Sequence, residues 1–459
     1  MLVFTTRRKP VQKFYNRQAE IEQLRGVSEA ISKTGGQLSV VVGKRRVGKT
    51  RLLKEAFIAG GDVPALYLFI SRKTESALVA EFAELIATEL GVKFFRPESL
   101  RDIIEFLLDY SESHPLTVII DEFQDIQRVN GALFSDIQNL WDSHKTRSKM
   151  HLVCCGSLFS LMTKIFRESD EPLMNRDDRF FHIKPLRPSY LKQVMDDCGV
   201  FSPEHMLEWW CLSGGIPKYL EWLSHASAHA NIFDYVISIS SPFLKEGAHR
   251  LVEDFGSENA QYFDILSAIS RGKTTRAQIQ NYVTTGVDVH LGRLESHFDV
   301  IRKQNPISSK PTARDSRFVI EDPFLNFWFK FIHANSSALE MDNYDYVKAH
   351  IERDFTTFSG IQLEGLFKAI LAESKQFSQI GGYWTPKGDD EIDIVAINAL
   401  NKQALIAEVK RNYDKYNQNK LVAKAQSLIA KMKIESYEIS YRGFSLDNLE
   451  SVMQEFKPR

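Results

Sequence analysis

The sequence predicts an α/β protein of several domains, with a parallel sheet near the N-terminus, a helical middle part and a smaller α/β unit near the C-terminus. Three apolar runs, at residues 38–42, 116–121 and 151–155, are each typical of a strand covered on both faces, and helical patterns follow them. Residues 391–411 have the pattern of two strands joined by a polar turn. A chain of 459 residues is long enough for about three or four such domains.

Composition and charge argue against several classes of protein. With 43% hydrophobic and 25% charged residues, the chain is typical of a globular protein rather than a disordered one. A formal net charge of -1 gives no overall sign of a nucleic-acid partner, although a neutral total can contain basic segments. The four cysteines form no C-x-x-C pair and have no neighbouring histidines at zinc-ligand spacing, so neither a disulfide framework nor a zinc site is expected. The apolar runs are too short for a signal peptide or a membrane span, so we expect a cytoplasmic protein without a membrane partner.

A glycine-bounded loop follows the first apolar run. The segment GKRRVGKT, from Gly43 to Thr50, satisfies the pattern G-x-x-x-x-G-K-[ST] between a strand and a helix. In this motif backbone N–H groups converge on phosphate oxygens, the lysine reaches the β- and γ-phosphates, and the hydroxyl group binds Mg²⁺. We therefore predict ATP and Mg²⁺ as cofactors. The predicted nucleotide-binding residues of this segment are Gly43, Lys44, Arg45, Arg46, Val47, Gly48, Lys49, Thr50 and Arg51, with Thr50 also a metal ligand.

Two adjacent acids end the second apolar run. At the end of LTVIIDEFQDI, the carboxylate of Asp121 can hold Mg²⁺ through water, and that of Glu122 can orient the attacking water. Adjacent acids at a strand end are also common in solvated turns. Because the phosphate-binding loop accompanies them, we predict that Asp121 and Glu122 are catalytic, with Asp121 as a metal ligand.

An ordered set of motifs covers most of the chain. These motifs are FYNRQAEIEQL (14–24), GKRRVGKT (43–50), IIDEFQ (119–124), CGSL (155–158), EPLMNRDDRF (171–180) and GGIPKYL (214–220). Together they resemble the archaeal-type AAA+ ATPase family, which lies close to the signalling NTPases with tandem domains. The ordered set is far more specific than any one motif.

The resemblance implies roles for further residues. In that family the region of Arg17 flanks the nucleotide base, and the GGIP segment, which ends at Pro217, begins part of a helical lid. A polar residue in the position of Ser157 senses the γ-phosphate. Serine after a strand is also an ordinary helix cap, and both roles are compatible.

The resemblance also implies a candidate transition-state finger. This residue is Arg176, which would act either within its own subunit or on a neighbour in a homo-oligomer. Alternatively, Arg176 pairs with Asp177 or Asp178 on the surface, since charged surface residues need no special role.

The middle of the chain predicts two helical units. Residues 186–250 have the pattern of short amphipathic helices separated by Pro and Gly, consistent with a lid. The tryptophans of this lid are most simply core residues, although aromatic side chains also occur on binding surfaces. They are Trp209, Trp210 and Trp222.

The next segment predicts a winged helix. Three helical patterns and a strand hairpin follow one another, with residues 289–300 in the position of a recognition helix. Between Arg271 and Arg317 there are nine Lys/Arg and four Asp/Glu, a surplus that could neutralise DNA phosphates. The alternative is a winged helix that only joins domains. Residues 322–332 (DPFLNFWFKFI) are too aromatic to face water continuously, so we expect them to pack two domains together.

Four charged residues align with the last helix and strand patterns. Glu364 lies in a helical segment, Asp393 on one strand and Glu408 on the next. Residues two apart on a strand share a face, so Glu408 and Lys410 point together, as do Glu391 and Asp393. Two carboxylates that meet across a hairpin can bind Mg²⁺ or Mn²⁺. A lysine two residues on can orient water or stabilise the charge of phosphodiester cleavage.

This order of residues is similar to the PD-(D/E)xK restriction-endonuclease-like fold, and the archaeal family also carries such a domain at its C-terminus. We therefore predict Glu364, Asp393, Glu408 and Lys410 as catalytic residues, with Asp393 and Glu408 as metal ligands. Two alternatives are a plain cross-strand charge pair and a nuclease fold without cleavage activity. Residues 401–433 hold eight Lys/Arg and two Asp/Glu, a basic approach suited to phosphates.

The predicted fold class is thus α/β: a P-loop NTPase parallel sheet with a helical lid, a winged helix and a C-terminal α/β nuclease-like domain. The predicted domains are 1–185 (AAA+ core), 186–250 (lid), 251–335 (winged helix) and 340–459 (nuclease-like). We expect ATP hydrolysis to control a metal-dependent nuclease that acts on DNA. The alternative is a nucleotide-dependent signalling or DNA-binding switch with an inactive nuclease fold.

Overall fold

The computed structural model describes residues 13–157, 159–226, 231–255, 259–283, 286–308, 315–385 and 390–458. In these ranges no helix has both the length and the apolar character that a membrane span requires. The first ten residues, whose apolar run is too short for a signal peptide, lie outside the described ranges. So do Lys310 and Arg314 of the basic segment.

The N-terminal part is a parallel sheet covered by helices. Its strands are β1 (Gln37–Val42), β2 (Ala65–Phe69), β3 (Leu116–Asp121), β4 (Met150–Gly156) and β5 (Arg179–His182). Its helices are α1 (Gln18–Thr34), α2 (Lys49–Leu53), α3 (Glu75–Leu90), α4 (Leu100–Ser113), α5 (Ile126–Asn130), α6 (Leu133–His144) and α7 (Phe159–Arg167). The strand order is β2-β3-β4-β1-β5, and all neighbours are parallel.

The strand order explains how the predicted catalytic residues meet. Every residue of β3 and β4 is buried, as expected for strands covered on both faces. Because the carboxyl ends of parallel strands lie at one edge of the sheet, the loop after β1, Asp121 at the end of β3 and Ser157 after β4 come to the same edge.

The helical lid follows β5. Its helices are α8 (Pro188–Cys198), α9 (Pro203–Ser213), α10 (Pro217–Ala226), α11 (Ile232–Val236) and α12 (Pro242–Phe255). Both α8 and α9 begin with proline at a position whose N–H needs no helical partner. The predicted lid boundary at residue 250 falls inside α12, because that helix continues to Phe255.

Three short helices and a strand hairpin come next, in the predicted order. They are α13 (Asn259–Ser270), α14 (Arg276–Gln280), α15 (Asp288–Gly292), β6 (Ile301–Gln304) and β7 (Arg317–Ile320), with β6 and β7 antiparallel. The helix predicted at 289–300 is shorter than expected. It continues α15 as a π-helical turn over Arg293–His297 and ends before Asp299, whose φ of 51° is left-handed.

The aromatic segment 322–332 lies between the lid and the C-terminal domain. It forms α16 (Pro323–Phe327) and a π-helical turn over Trp328–Ile332, before α17 (Ser336–Glu340) and the long helix α18 (Tyr344–Glu373). The Phe324 ring centroid lies 4.7 Å from that of Tyr219 in the lid. The Phe327 centroid lies 6.1 Å from that of Phe358 in α18. The lid, the middle and the C-terminal domain therefore share one continuous core.

The C-terminal domain is a mixed sheet between two helices. Its remaining elements are β8 (Gln379–Trp384), β9 (Glu391–Asn398), β10 (Gln403–Val409), α19 (Gln418–Met432), β11 (Glu438–Phe444) and α20 (Leu449–Glu455). The sheet order is β11-β10-β9-β8, antiparallel except for the parallel pair β10 and β11. Helix α18 packs on one face and α19 on the other. The predicted hairpin that carries Asp393 and Glu408 is confirmed.

A glycine in α12 sets the packing of the lid against the aromatic segment. A Cβ atom on Gly247 would overlap the Trp328 ring, whereas one on Gly360 in α18 would meet open space. We expect Gly247→Ala to lower the free energy of unfolding by about 1–3 kcal/mol, because the tryptophan must move. The matched control Gly360→Ala should raise it by about 0.5–1 kcal/mol, because it only removes glycine entropy from a helix. Urea unfolding measures both, and equal effects would contradict this packing.

Candidate functional site

Two glycines shape the loop between β1 and α2. Gly48 has a φ of 95°, and a Cβ atom there would meet no neighbour, so the constraint at this position is the left-handed backbone. At Gly43 a Cβ atom would overlap the carbonyl oxygen of Ile183. The loop therefore keeps its course only with glycine at both motif positions, which leaves its N–H groups free of side-chain cover.

Lys49 lies buried across this loop. Its ammonium group donates hydrogen bonds to the carbonyl oxygens of Gly43 (2.8 Å) and Lys44 (3.3 Å). Burial lowers the pKa of Lys49, while the charges of Asp121 and Glu122 act in the opposite direction. A buried ammonium group held only by neutral carbonyls is well suited to accept a phosphate as its counter-charge.

The acid at the end of β3 is joined to the loop. The Thr50 hydroxyl donates a hydrogen bond of 3.0 Å to Asp121 Oδ2, and the Tyr67 hydroxyl donates to the same oxygen. Burial and then this bond to Asp121 raise the pKa of Tyr67. A hydroxyl beside a carboxylate is the oxygen ligand set that Mg²⁺ takes at such loops, so these residues fit the predicted ion. Tyr67 was not predicted, because only the pairing of β2 with β3 brings it near Asp121.

Glu122 is held in an unusual backbone conformation. Its φ is 54°, in the left-handed region that costs energy for a residue other than glycine. Its carboxylate oxygen Oε2 accepts hydrogen bonds of 2.7 Å from both Gln124 Nε2 and Ser157 Oγ. Ser157 thus contacts the predicted water-orienting acid directly.

A cavity of about 850 Å³ lies between the loop and the lid. Gly48, Lys49 and Thr50 line one end, and apolar side chains of α8 and α10 line the other. Both Arg17 and Pro217 lie in its wall, where the resemblance placed them. Arg17 is buried and donates to Glu20 and to the carbonyl of Lys184, so it is anchored at the cavity rim. Volume and lining suit a nucleoside triphosphate with its base in the apolar end.

Trp222, which the sequence placed most simply in the lid core, packs against that core and also lines the cavity. Trp209 is buried in the lid core, but Trp222 lines the cavity, with the Arg46 guanidinium 4.6 Å from the centre of its ring. The helical pattern alone could not distinguish the two, because the cavity-facing side of α10 is set by the position of the loop.

The side chains between the two loop glycines point to the middle of the chain. Lys44 Nζ lies 3.8 Å from Asp322 Oδ2, and Arg46 Nη1 lies 2.8 Å from Glu246 Oε2. Only about 3% of each of these acid side chains is exposed. Lys44 would therefore meet a nucleotide through its backbone N–H group, whereas Arg46 also lines the cavity.

The remaining two arginines of the predicted segment are Arg45 in the loop and Arg51 in α2. The Arg51 guanidinium lies 5.2 Å from the centre of the Phe14 ring and, like Phe14, lines the cavity. Arg45 is close enough to oppose the charge of Lys49.

Arg176 lies outside the cavity lining. It is held by Asp142 of α6, with Nη2 2.9 Å from Oδ2. The alternative pairing with Asp177 or Asp178 is wrong, because Arg167 pairs with the first of these acids and Lys145 with the second. Sequence proximity was misleading here, since the turn presents Arg176 to a helix 34 residues earlier.

The second predicted group lies at one end of the mixed sheet. Val409 N–H donates a hydrogen bond of 2.7 Å to Asp393 Oδ2, across the hairpin. Lys410 Nζ lies 3.0 Å from Glu408 Oε1, as expected for residues two apart on a strand. Lys424 of α19 approaches the same oxygen at 3.8 Å. The helical pattern of residues in α19 does not predict that Lys424 faces this group.

Electrostatics tie Glu364 to the same group. Burial raises its pKa to about 7, the nearby charges of Asp393 and Glu391 add to the shift, and Lys368 opposes it. Burial also raises the pKa of Asp393, against the hydrogen bond from Val409 and the charge of Lys410. Lys368 Nζ lies 3.6 Å from Glu364 Oε2, a contact that their spacing of four on α18 could have predicted.

A third acidic group was not predicted. Among the described residues, Asp109, Glu112 and His144 are the three potential ligands whose atoms lie within 4.8 Å of one another. Arg147 already lies 2.8 Å from Glu112 as its counter-charge. The predicted acids Asp121, Asp393 and Glu408 belong to no such three-residue group, so a cation there would also need phosphate or water oxygens.

The basic surplus of the segment predicted to be a winged helix is partly neutralised. Arg276 pairs with Asp288 (2.5 Å) and Arg302 with Glu321 (2.6 Å). Arg317 is also paired, with Glu391 of the C-terminal domain at 2.5 Å. These arginines would have to exchange a carboxylate for a phosphate in order to bind DNA.

Two family models match separate parts of the chain. Residues 14–223 match the model of an ATPase domain predominantly from Archaea, which spans the sheet, the loop and the start of the lid. Residues 328–422 match a family described as archaeal and bacterial proteins of unknown function, which includes α18 and the predicted carboxylate group.

Similar proteins extend over most of the chain. An uncharacterized protein of Methanocaldococcus jannaschii is 28% identical over 404 residues, covering 85% of this chain and 86% of its own. A Walker-type ATPase of Pyrococcus abyssi aligns with a TM-score of 0.53 at 20% identity, covering 72% of this chain and 100% of its own. At that identity the likeness shows the fold. The family match over 14–223 supports a nucleotide-hydrolysing ATPase with this P-loop fold.

Proposed function

We propose that this ATPase controls a metal-dependent nuclease site in its C-terminal domain, which acts on DNA. One observation carries the proposal: Asp393, Glu408 and Lys410 lie together at one end of the mixed sheet, and Glu364 of α18 is electrostatically part of the same group. The element order helix, three antiparallel strands, helix and parallel strand supports the same fold as the resemblance.

The ATP site supports a hydrolytic role rather than simple binding. Glu122 lies next to Thr50 and Asp121, the predicted Mg²⁺ ligands, and two hydrogen bonds fix its carboxylate. A positioned carboxylate can accept a proton from the attacking water, while Lys49 neutralises charge on the phosphates. A bound Mg²⁺ supplies further charge neutralisation at the phosphate oxygens.

The carboxylate group supports phosphodiester chemistry. A divalent cation held by Asp393 and Glu408 would polarise the scissile phosphate. Lys410 is within ion-pair distance of Glu408 and can stabilise negative charge that develops on the phosphate oxygens. Lys368 and Lys424 add positive charge from α18 and α19, which favours an anionic polymer over a neutral substrate.

Two substitutions separate ATP binding from hydrolysis. Lys49→Ala should abolish tight ATP binding, because it removes the phosphate counter-charge. Glu122→Gln should bind ATP normally but lower the rate of hydrolysis by about 100-fold or more, because the amide cannot accept the proton. Nucleotide titration and phosphate release measure the two effects, with Glu89→Gln on the exposed end of α3 as the control. Normal ATP affinity in Lys49→Ala would contradict the site.

The nuclease proposal is tested with supercoiled plasmid. Wild-type protein should nick the plasmid in the presence of Mn²⁺ or Mg²⁺. The rate of nicking should differ between ATP and a non-hydrolysable analogue. Lys410→Ala should lower the cleavage rate by about 100-fold or more, because an electrostatic contact at the reacting phosphate is lost.

The matched control is Lys33→Ala, an exposed lysine in the last turn of α1, outside the basic segments. It should cleave at a rate close to wild type. Absence of cleavage by wild-type protein under all these conditions, or equal rates in both lysine variants, would leave the alternative of a switch with an inactive nuclease fold.

A further inference from the structure

A buried acid links the phosphate-binding loop to the strand hairpin. Asp322, the acid that pairs with Lys44, lies two residues after the end of β7. Its carboxylate also accepts a hydrogen bond from Leu325 N–H and so caps α16. Because Asp322 is almost fully buried, separating it from Lys44 would give up an ion-pair contact in a site with little access to water, which is costly. A displacement of Lys44 is therefore expected to move Asp322 as well.

The other end of the same strand reaches the carboxylate group. Arg317, the first residue of β7, pairs with Glu391 at 2.5 Å, and its guanidinium lies 4.5 Å from the centre of the Trp384 ring. Glu391 is two residues before Asp393 on β9, and its charge contributes to the raised pKa of Glu364. The four residues of β7 span on the order of 10 Å.

Two more contacts fix the hairpin to the C-terminal sheet. Ile307 N–H donates a hydrogen bond of 2.9 Å to the carbonyl of Gly382 on β8, and Trp384 Nε1 donates one of 2.8 Å to the carbonyl of Asp315. A Cβ atom on Gly381 would lie 3.3 Å from Ile307, so glycine permits this close approach. The hairpin is therefore docked on the edge strand of the predicted nuclease domain.

We propose that β7 is the mechanical link between the two sites, so that ATP binding at the loop and the state of the carboxylate group are thermodynamically coupled. This inference rests on the proposed function for the identity of the second site. Its trigger is Lys49, which now bonds to the carbonyl oxygen of Lys44. When Lys49 turns to a phosphate, that peptide loses its partner, and the Lys44 side chain moves with it. Asp322 and β7 follow, and Arg317 shifts Glu391 beside the carboxylates.

The test uses full-length protein and the affinity for a fluorescent, non-hydrolysable ATP analogue with Mg²⁺. Arg317→Ala removes the ion pair between β7 and β9, so displacing β7 costs less free energy, and the analogue should bind at least about five-fold more tightly. Glu391→Gln removes the charge of the other partner in the same ion pair, and it should tighten binding of the analogue by the same factor. Arg302→Ala is the matched control, since its pair with Glu321 lies on the same hairpin without touching the C-terminal domain.

A second arm tests the route through Asp322. In an Asp322→Asn background, which keeps an acceptor for the helix cap, Arg317→Ala should cause no further shift, because the link is already broken. Affinities of Arg317→Ala and Glu391→Gln within two-fold of wild type, or an equal shift in Arg302→Ala, would overturn the coupling. The measurement needs no DNA cleavage. A shifted affinity with an inert plasmid assay would therefore refute only the nuclease, and cleavage without a shift would refute only the link.

Discussion

The hydrogen bond from Thr50 to Asp121 is the contact on which the account of this protein depends. It joins the glycine loop after β1 to the end of β3, although β4 lies between these strands in the sheet. The parallel strands β1 and β3 end at the same edge of the sheet, which brings the loop hydroxyl close to the buried carboxylate. Lys49, Glu122 and the cavity under the lid are all arranged around that pair.

Contacts connect this edge of the sheet to the lid and to the C-terminal domain. Ion pairs connect the loop to α12 and to Asp322, and the lid shares its core with the C-terminal domain. At the base of α8, Ser189 donates from both its hydroxyl and its N–H to Glu373 at the end of α18, the helix that carries Glu364. Closely packed cores transmit displacement rather than absorb it, so a change at the loop has physical routes to the distant carboxylates.

Much of this could be predicted from the sequence, because the relevant signals are local. The loop glycines, the strand-end acids and the hairpin with Asp393 and Glu408 all depend on residue spacing within one or two elements. The contacts that were missed depend on elements distant in sequence. Tyr67 meets Asp121 only through sheet order, and Lys424 meets Glu408 only through the packing of α19.

The errors have the same origin. Arg176 takes a partner from α6 because the turn before β5 faces that helix, and no neighbour in sequence indicates this. Trp222 reaches the cavity as well as the expected core, because the lid helix α10 turns one side to the cavity. The helix that begins at Asp288 ends at His297, shortly before Asp299, whose φ is positive. An aspartate does not require a positive φ, so the sequence does not predict this end.

The most direct measurement is anomalous diffraction from crystals grown with Mn²⁺ and a non-hydrolysable ATP analogue. The account predicts one manganese peak within coordination distance of Thr50 and Asp121, with the triphosphate along the glycine loop, and a second peak at Asp393 and Glu408. A nucleotide bound elsewhere, or a loop in which Thr50 and Asp121 lie far apart with no metal near them, would contradict it.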